Sequence, residues 1–285
     1  MKKLHEVNEF DELLFWGRIR GNAYFFTLLG LQKDYYIALG LKYKGFYEFP
    51  FKKFYWATSG SYKFEPLPLQ DGKNRKEANG CETLFFGEHE KVLVELKLSE
   101  ATDAPVDAEP ATEIKAEENK EENEAAAVVP ESTEEPKVEH KNYTELDRLS
   151  YVVYAIENDT HVVPEGAFKL TPKHELIRNL AFKGLSKQDL SDINKYYHFR
   201  NPQTQDKKSL LETAKSVFHE DIFDPIIEDK PKGAWSVQVD PSENVGIIKS
   251  LIWPGYIAYS VSGTKLFGGA YFGDGLKNKD LAFML

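Results

Sequence analysis

The chain has 285 residues, enough for one large or two modest domains with a substantial core, and a formal net charge of −10. That charge is local: residues 99–140 hold 14 Asp/Glu against three Lys, a net of −11, which leaves the remainder at +1. A near-neutral body excludes charge as an argument either for or against nucleic acid.

The single cysteine, Cys81, excludes an intramolecular disulfide. Met1-Lys2-Lys3 leads into Glu6, Glu9, Asp11 and Glu12 and not into an apolar run, so no signal peptide is expected. The longest apolar stretch, Ala23–Leu31, is far below the roughly 20 residues of a membrane helix. A soluble, intracellular protein without a membrane partner is expected.

Residues 1–98 are aromatic-rich and strand-like, with 18 of the 38 aromatic residues lying between Phe10 and Phe64. Tyr47, Phe49 and Phe51 alternate with Glu48, Pro50 and Lys52, the period of a half-buried strand, and Pro50 places it at an edge or bulge. A strand is predicted over Lys91–Leu98, with Val92, Val94, Leu96 and Leu98 on one face. Residues 99–140 have four prolines and no aromatic residue. Such a segment buries too little apolar surface to offset its ordering entropy, so a disordered acidic insert is expected. It reads as a loop within one composite domain or as a linker between two lobes.

Residues 141–285 are better patterned. Thr144 and Asp147 form a capping box ahead of Leu146, Leu149, Val153 and Ile156, a helical spacing. Ser186 and Asp189 suggest a second helix, with Leu190, Ile193 and Tyr197 facing the core and Pro202 as the stop. A third is expected around Lys208–Phe218. Strands follow at Ala234–Val239, Val245–Ile252, Tyr256–Val261 and Ala270–Phe272, separated by Gly, Pro and Asp/Asn turns. The predicted class is α+β: a largely antiparallel sheet, several short helices and the long acidic insert. The expected organisation is an aromatic β-lobe (1–98), the insert (99–140) and an α+β lobe of the same composite domain (141–285).

Candidate chemistry is thin. Gly268–Gly275 is glycine-rich, but the residue after Gly273 is Asp274, where a phosphate loop needs lysine, so a hairpin is the better reading. None of the seven histidines has zinc-site or metalloprotease spacing. Cys81 with His89 as nucleophile and base would need a fold that joins them, and a buried structural thiol is preferred. His198, between Tyr197 and Phe199, reads as a core or interface imidazole. Neither catalytic residue, metal nor cofactor is expected. Arg18, Arg20, Lys33, Lys42, Lys44, Lys52, Lys53 and Lys63 interleave with aromatics, the composition of a single-strand nucleic-acid or other ligand-binding surface. Solvated outer faces of a half-buried sheet explain the same lysines.

Three blocks near the C-terminus set large apolar residues beside backbone-restricting ones: Lys232-Gly233-Ala234-Trp235-Ser236, Trp253-Pro254-Gly255, and the terminal Phe283-Met284-Leu285. An apolar end calls for docking against the body or a partner, since termini otherwise fray.

These blocks join Leu14-Phe15-Trp16-Gly17-Arg18-Ile19, Asp34-Tyr35-Tyr36-Ile37-Ala38, Gly40-Leu41, Val162-Val163-Pro164 with Gly166-Ala167, Gly184-Leu185-Ser186, Tyr197-His198-Phe199-Arg200 with Pro202, and Gly273-Asp274-Gly275. Together, from about residue 13 to 285, they resemble the radial spoke head protein 9 family of motile cilia and flagella. The radial spoke head 4 and 6 proteins look like distant relatives. Two departures stand out: Asn22–Leu29 is extra material that suggests a longer hairpin, and a helical segment before the Trp16-Gly17 block is mostly missing.

The resemblance implies a non-enzymatic structural subunit of the spoke head in the ciliary axoneme, cytoplasmic before assembly. Its implied partners are the 4/6-type head subunits and central-pair projections, with no nucleic acid. The expected packing or interface anchors are Trp16, Tyr35, Tyr36, Trp235, Trp253, Pro254, Phe283, Met284 and Leu285. The alternative is the single-strand nucleic-acid or ligand-binding module on the N-terminal aromatic surface.

Overall fold

A computed structural model describes residues 12–22, 24–32, 51–59, 61, 63–68, 78, 80–97, 140–170, 176–203, 222–242 and 244–284. The first strands are β1 (Glu12–Arg20), β2 (Tyr24–Gln32), β3 (Phe51–Thr58) and β4 (Glu65–Pro66), followed by β5 (Val92–Lys97) and β6 (His140–Thr144). Helix α1 (Glu145–Thr160) leads to β7 (Val162–Pro164), β8 (Phe168–Leu170), β9 (Leu176–Arg178) and β10 (Tyr196–His198). The chain closes with β11 (Trp235–Val239), β12 (Val245–Ser250), β13 (Tyr256–Val261), β14 (Phe267–Gly273) and the short α2 (Leu281–Met284). The protein is mainly β, with few helices.

One eight-stranded sheet dominates, in the order β11-β12-β13-β14-β1-β2-β3-β4. Each half is an antiparallel meander, and the two meet where β1 runs parallel to β14. This seam is only three residues long, from Gly17↔Tyr271 to Ile19↔Gly273. A bulge at Trp16 precedes it. Gly17 sits at φ 156°, and an added Cβ would fall against the Tyr271 carbonyl, so the close approach of the two meanders requires glycine. The Trp16-Gly17 pair is therefore the junction of the two meanders.

Helix α1 covers the inner face. Thr144 caps it as expected: its hydroxyl accepts from the Asp147 N–H while the Asp147 carboxylate accepts from the Thr144 N–H. Leu149, Val153 and Ile156 are fully buried, each worth about 1.5–3 kcal/mol of burial. They pack with Trp16, Phe54, Trp56 and Tyr256 in one core. Alternation does the same work in β13, where Tyr256, Ala258 and Ser260 point inward and Ile257 and Tyr259 outward.

The C-terminal strands match their expected positions closely, with β12 ending two residues early and β14 starting three residues early. The glycine-rich stretch is one arm of the β13–β14 hairpin. Asn22–Leu29 lies in the β1–β2 hairpin, paired from Glu12↔Leu31 to Arg20↔Tyr24.

Two expectations are corrected. The helix after Ser186 is instead two 3-10 turns, Asp189–Ser191 and Ile193–Lys195, followed by β10. The Ser186 hydroxyl does accept from the Asp189 N–H, but the Asp192 carboxylate takes the Asn194 N–H and breaks the helical ladder. β10 then pairs with β7, so Tyr196, not Tyr197, enters the core and donates its hydroxyl to the Leu190 carbonyl. The Lys91–Leu98 strand forms as β5, but Val92 and Val94 are exposed. Among the described residues it pairs with β6 alone, as a two-stranded ribbon with a bulge between Val92 and Val94.

That ribbon makes Lys97 and His140, which flank the acidic stretch, cross-strand partners. Residues 99–139, the Tyr47–Pro50 alternation and the expected helix over Lys208–Phe218 lie outside the described residues.

Candidate interaction site at the sheet seam

The last turn of α1 carries Glu157, and the residue ending the helix is His161, one turn on. The β1 bulge presents Trp16, β3 supplies Lys52, and the chain leaving β10 supplies Phe199. Trp16, Lys52 and His161 converge on the Glu157 carboxylate, and the Phe199 carbonyl shares Lys52 with it. Trp16 Nε1 donates to Oε2 at 2.9 Å. Lys52 Nζ donates to Oε1 at 2.6 Å and to the Phe199 carbonyl at 2.7 Å. His161 Nδ1 lies 2.5 Å from Oε1, so the proton sits on Nδ1, facing the carboxylate. The cluster ties the N-terminal meander, α1 and the chain leaving β10 together.

Burial would push the Glu157 carboxyl up, but the His161 and Lys52 charges and hydrogen bonds outweigh it and hold the group far below the ordinary carboxylate range. Burial lowers the Lys52 amine, opposed by its attraction to Glu157. Burial also raises the hydroxyls of Tyr256 and Tyr271 well above the usual phenol, and pushes Tyr196 up to about 12.

The other C-terminal indoles follow the same rule. Trp235 Nε1 donates to Asp229 Oδ2 at 2.7 Å, and the buried His198 Nε2 meets the same carboxylate at 2.8 Å. Trp253 Nε1 donates to Asp159 at 3.0 Å, with Lys277 over its ring and paired to that carboxylate. Trp16, Trp235 and Trp253 are all buried in the core. Pro254 is exposed at a turn whose next residue, Gly255, has φ 104° and lies against the Phe272 carbonyl. Among the described residues of the apolar end, Leu281 docks on the body, while Phe283 and Met284 are 89% and 72% exposed. Tyr35, Tyr36 and Leu285 lie outside the described residues.

Sequence reasoning missed Glu157, Lys52 and His161. Lys52 read as part of a solvated basic face, whereas its side chain is 13% exposed and held in an ion pair. The usable signal was Glu157 and His161 at i and i+4, which stacks them on one helix face. Cys81 is half-buried, and His89 packs against the Trp56 ring, with no hydrogen bond joining the two. Among the described residues no group of three or more His, Cys, Asp or Glu could hold a metal, and no helix is long and apolar enough to cross a membrane.

Two apolar surfaces remain open. On the outer face, Phe15, Ile257, Tyr259 and Phe272 are exposed, and the Phe15 and Phe272 rings lie 6.1 Å apart across the seam. N-terminal to the seam, β1 and β14 are not paired. A cavity of about 510 Å³ lies there, between Glu12–Trp16 on one side and Phe267–Gly269 on the other. Phe168, Leu176 and Arg178 wall it, and Glu157, His161 and Phe199 line it too.

Paired charges inside and an open apolar cleft and face outside define a mainly β protein whose distinguishing feature is its surface. The chain belongs to the radial spoke head protein 9 family. It is 32% identical over 278 residues to the radial spoke head protein 9 homolog of Bos taurus, an alignment covering 97% of this chain and 86% of the relative. The human homolog is 32% identical over 276 residues, with the same coverage. The homolog of Danio rerio reaches 40% over 141 residues, about half of each chain. No protein-family model matches the chain.

Proposed function

We propose that the chain is a structural, non-enzymatic subunit of the radial spoke head in the axoneme of motile cilia or flagella, made in the cytoplasm and then assembled. It contacts the 4/6-type head subunits and helps relay central-pair cues toward the dynein motors. The observation that carries this reading is the near full-length similarity to relatives named radial spoke head protein 9 homolog.

Physical features support it. The titratable groups of the seam are paired with one another, and exposed aromatic residues of the kind that anchor interfaces lie outside. Phe283 and Met284 project from the body and are the proposed terminal anchor. The acidic sequence runs between Lys97 and His140, cross-strand partners in β5 and β6, and an insertion at such a point costs folding little because closure entropy grows only logarithmically with length.

The test is purification of a tagged copy from salt-extracted axonemes, with stoichiometry by mass spectrometry. Near-stoichiometric recovery with the other head subunits is expected. A copy found only in the cell body overturns the reading.

A further inference from the structure

We infer that the cleft between β1 and β14 is a strand-addition site, which receives an extended segment of a neighbouring spoke-head subunit carrying a large apolar side chain and a carboxylate. This rests on the spoke-head reading above and names how the subunit is held.

The open, mostly apolar cleft of about 510 Å³ at the sheet seam lies within the size range of binding pockets. The two strands that border it each have one open edge. Glu12–Phe15 of β1 pair with β2, and Phe267–Ala270 of β14 pair with β13, with no backbone partner on the cleft side among the described residues. Such edges offer hydrogen-bonding groups that a peptide backbone matches and an apolar small molecule does not.

Glycines keep the β14 edge bare. An added Cβ at Gly269 would meet the Tyr256 hydroxyl at 2.5 Å, so packing explains that glycine. At Gly268 a Cβ would make only ordinary contact with the Tyr259 ring, so the body does not require it. A strand glycine without a packing reason marks close approach by another backbone.

The side-chain chemistry agrees. Trp16, Phe168 and Phe199 supply an aromatic pit for one large apolar residue. At the mouth, Arg178 lies over the Phe168 and Phe267 rings and donates through Nη2 to Glu12 at 2.7 Å. Its side chain is 52% exposed, and guanidinium carries five donors, so a carboxylate from the incoming segment finds a charged, oriented partner. The Arg178 donors that Glu12 does not take are what favours an acidic–apolar segment.

The experiment is hydrogen exchange on the full-length protein, free and in spoke heads rebuilt from salt-extracted components. Those amides of residues 12–16 and 267–270 that face the cleft, and not β2 or β13, should exchange at least about tenfold more slowly after assembly. Leu14→Glu puts a charge in the cleft from a partly exposed position and should cut incorporation about tenfold or more, while Leu180→Glu, outside the cleft, should incorporate normally. Assembly of the wild type without protection at these amides overturns the inference. So does normal incorporation of Leu14→Glu, or protection that appears in the free protein as its concentration rises, which would mean self-pairing. If the wild type never enters the head, the spoke-head reading itself fails.

Discussion

Inside the molecule, Trp16, Trp235 and Trp253 each donate an indole N–H to a carboxylate at 2.7–3.0 Å. Outside, Phe15 and Phe272 present half-exposed rings that touch each other across the seam, and Phe283 extends into solvent. The inner rings are fixed in position by a polar atom, and removing one leaves a void plus an unpartnered carboxylate. The outer rings are held by little, and the fold barely depends on them. The same residue class thus serves stability on one side and contact on the other.

The largest effect should come from the inner set. Trp253→Ala should lose about 3–5 kcal/mol, since it empties a buried indole site, read as a shift of the urea midpoint. A loss below about 1 kcal/mol would place Trp253 outside the core. Glu157→Gln should cost about 3–5 kcal/mol because Lys52 is left buried and charged. The double variant Lys52→Met/Glu157→Leu should recover much of that, and a purely additive double-mutant cycle would deny the coupling.

Acid gives an independent reading of the same cluster. The folded-state pKa of Glu157 lies below its ordinary value of 4.5. Its contribution is therefore complete above that pH and is lost as pH falls toward the folded value. Stability curves of the wild type and Glu157→Gln should converge in acid, and parallel curves would contradict the assignment.

The outer set should behave oppositely. Phe283→Ser should change stability by about 0.5 kcal/mol or less and Phe272→Ser, at a half-exposed ring, by about 1 kcal/mol, yet both should lower incorporation into spoke heads. If either unfolds the protein, the contrast between the faces fails. Deletion of residues 99–139 should leave assembly intact, the smallest effect on incorporation. By the loop-closure term it shifts stability by about 1–2 kcal/mol at most, in the favourable direction. A spoke head that disappears on this deletion would make the acidic segment a binding element.

Much of the frame was legible along the chain. The Thr144–Asp147 capping box and the Leu149/Val153/Ile156 spacing specify α1, because every contact involved is local. The C-terminal strands could be read from alternation and turn residues. The segment after Ser186 could not, since a helix-compatible pattern there is overruled by pairing with β7 and an Asx turn at Asp192. Lys52 was legible as a cation but not as buried, because its partner Glu157 lies 105 residues away.

The sequence alone thus determined the family resemblance, the neutral body with its acidic stretch, and the local elements whose hydrogen bonds close within a few residues. Tertiary structure decided which tryptophans are core, which rings stay open, and that two meanders join through a three-residue parallel seam at Gly17. The physical reason is distance along the chain. Periodicity reports which face of an element is apolar, but it does not report which distant element covers that face or where two strands part to leave a cleft.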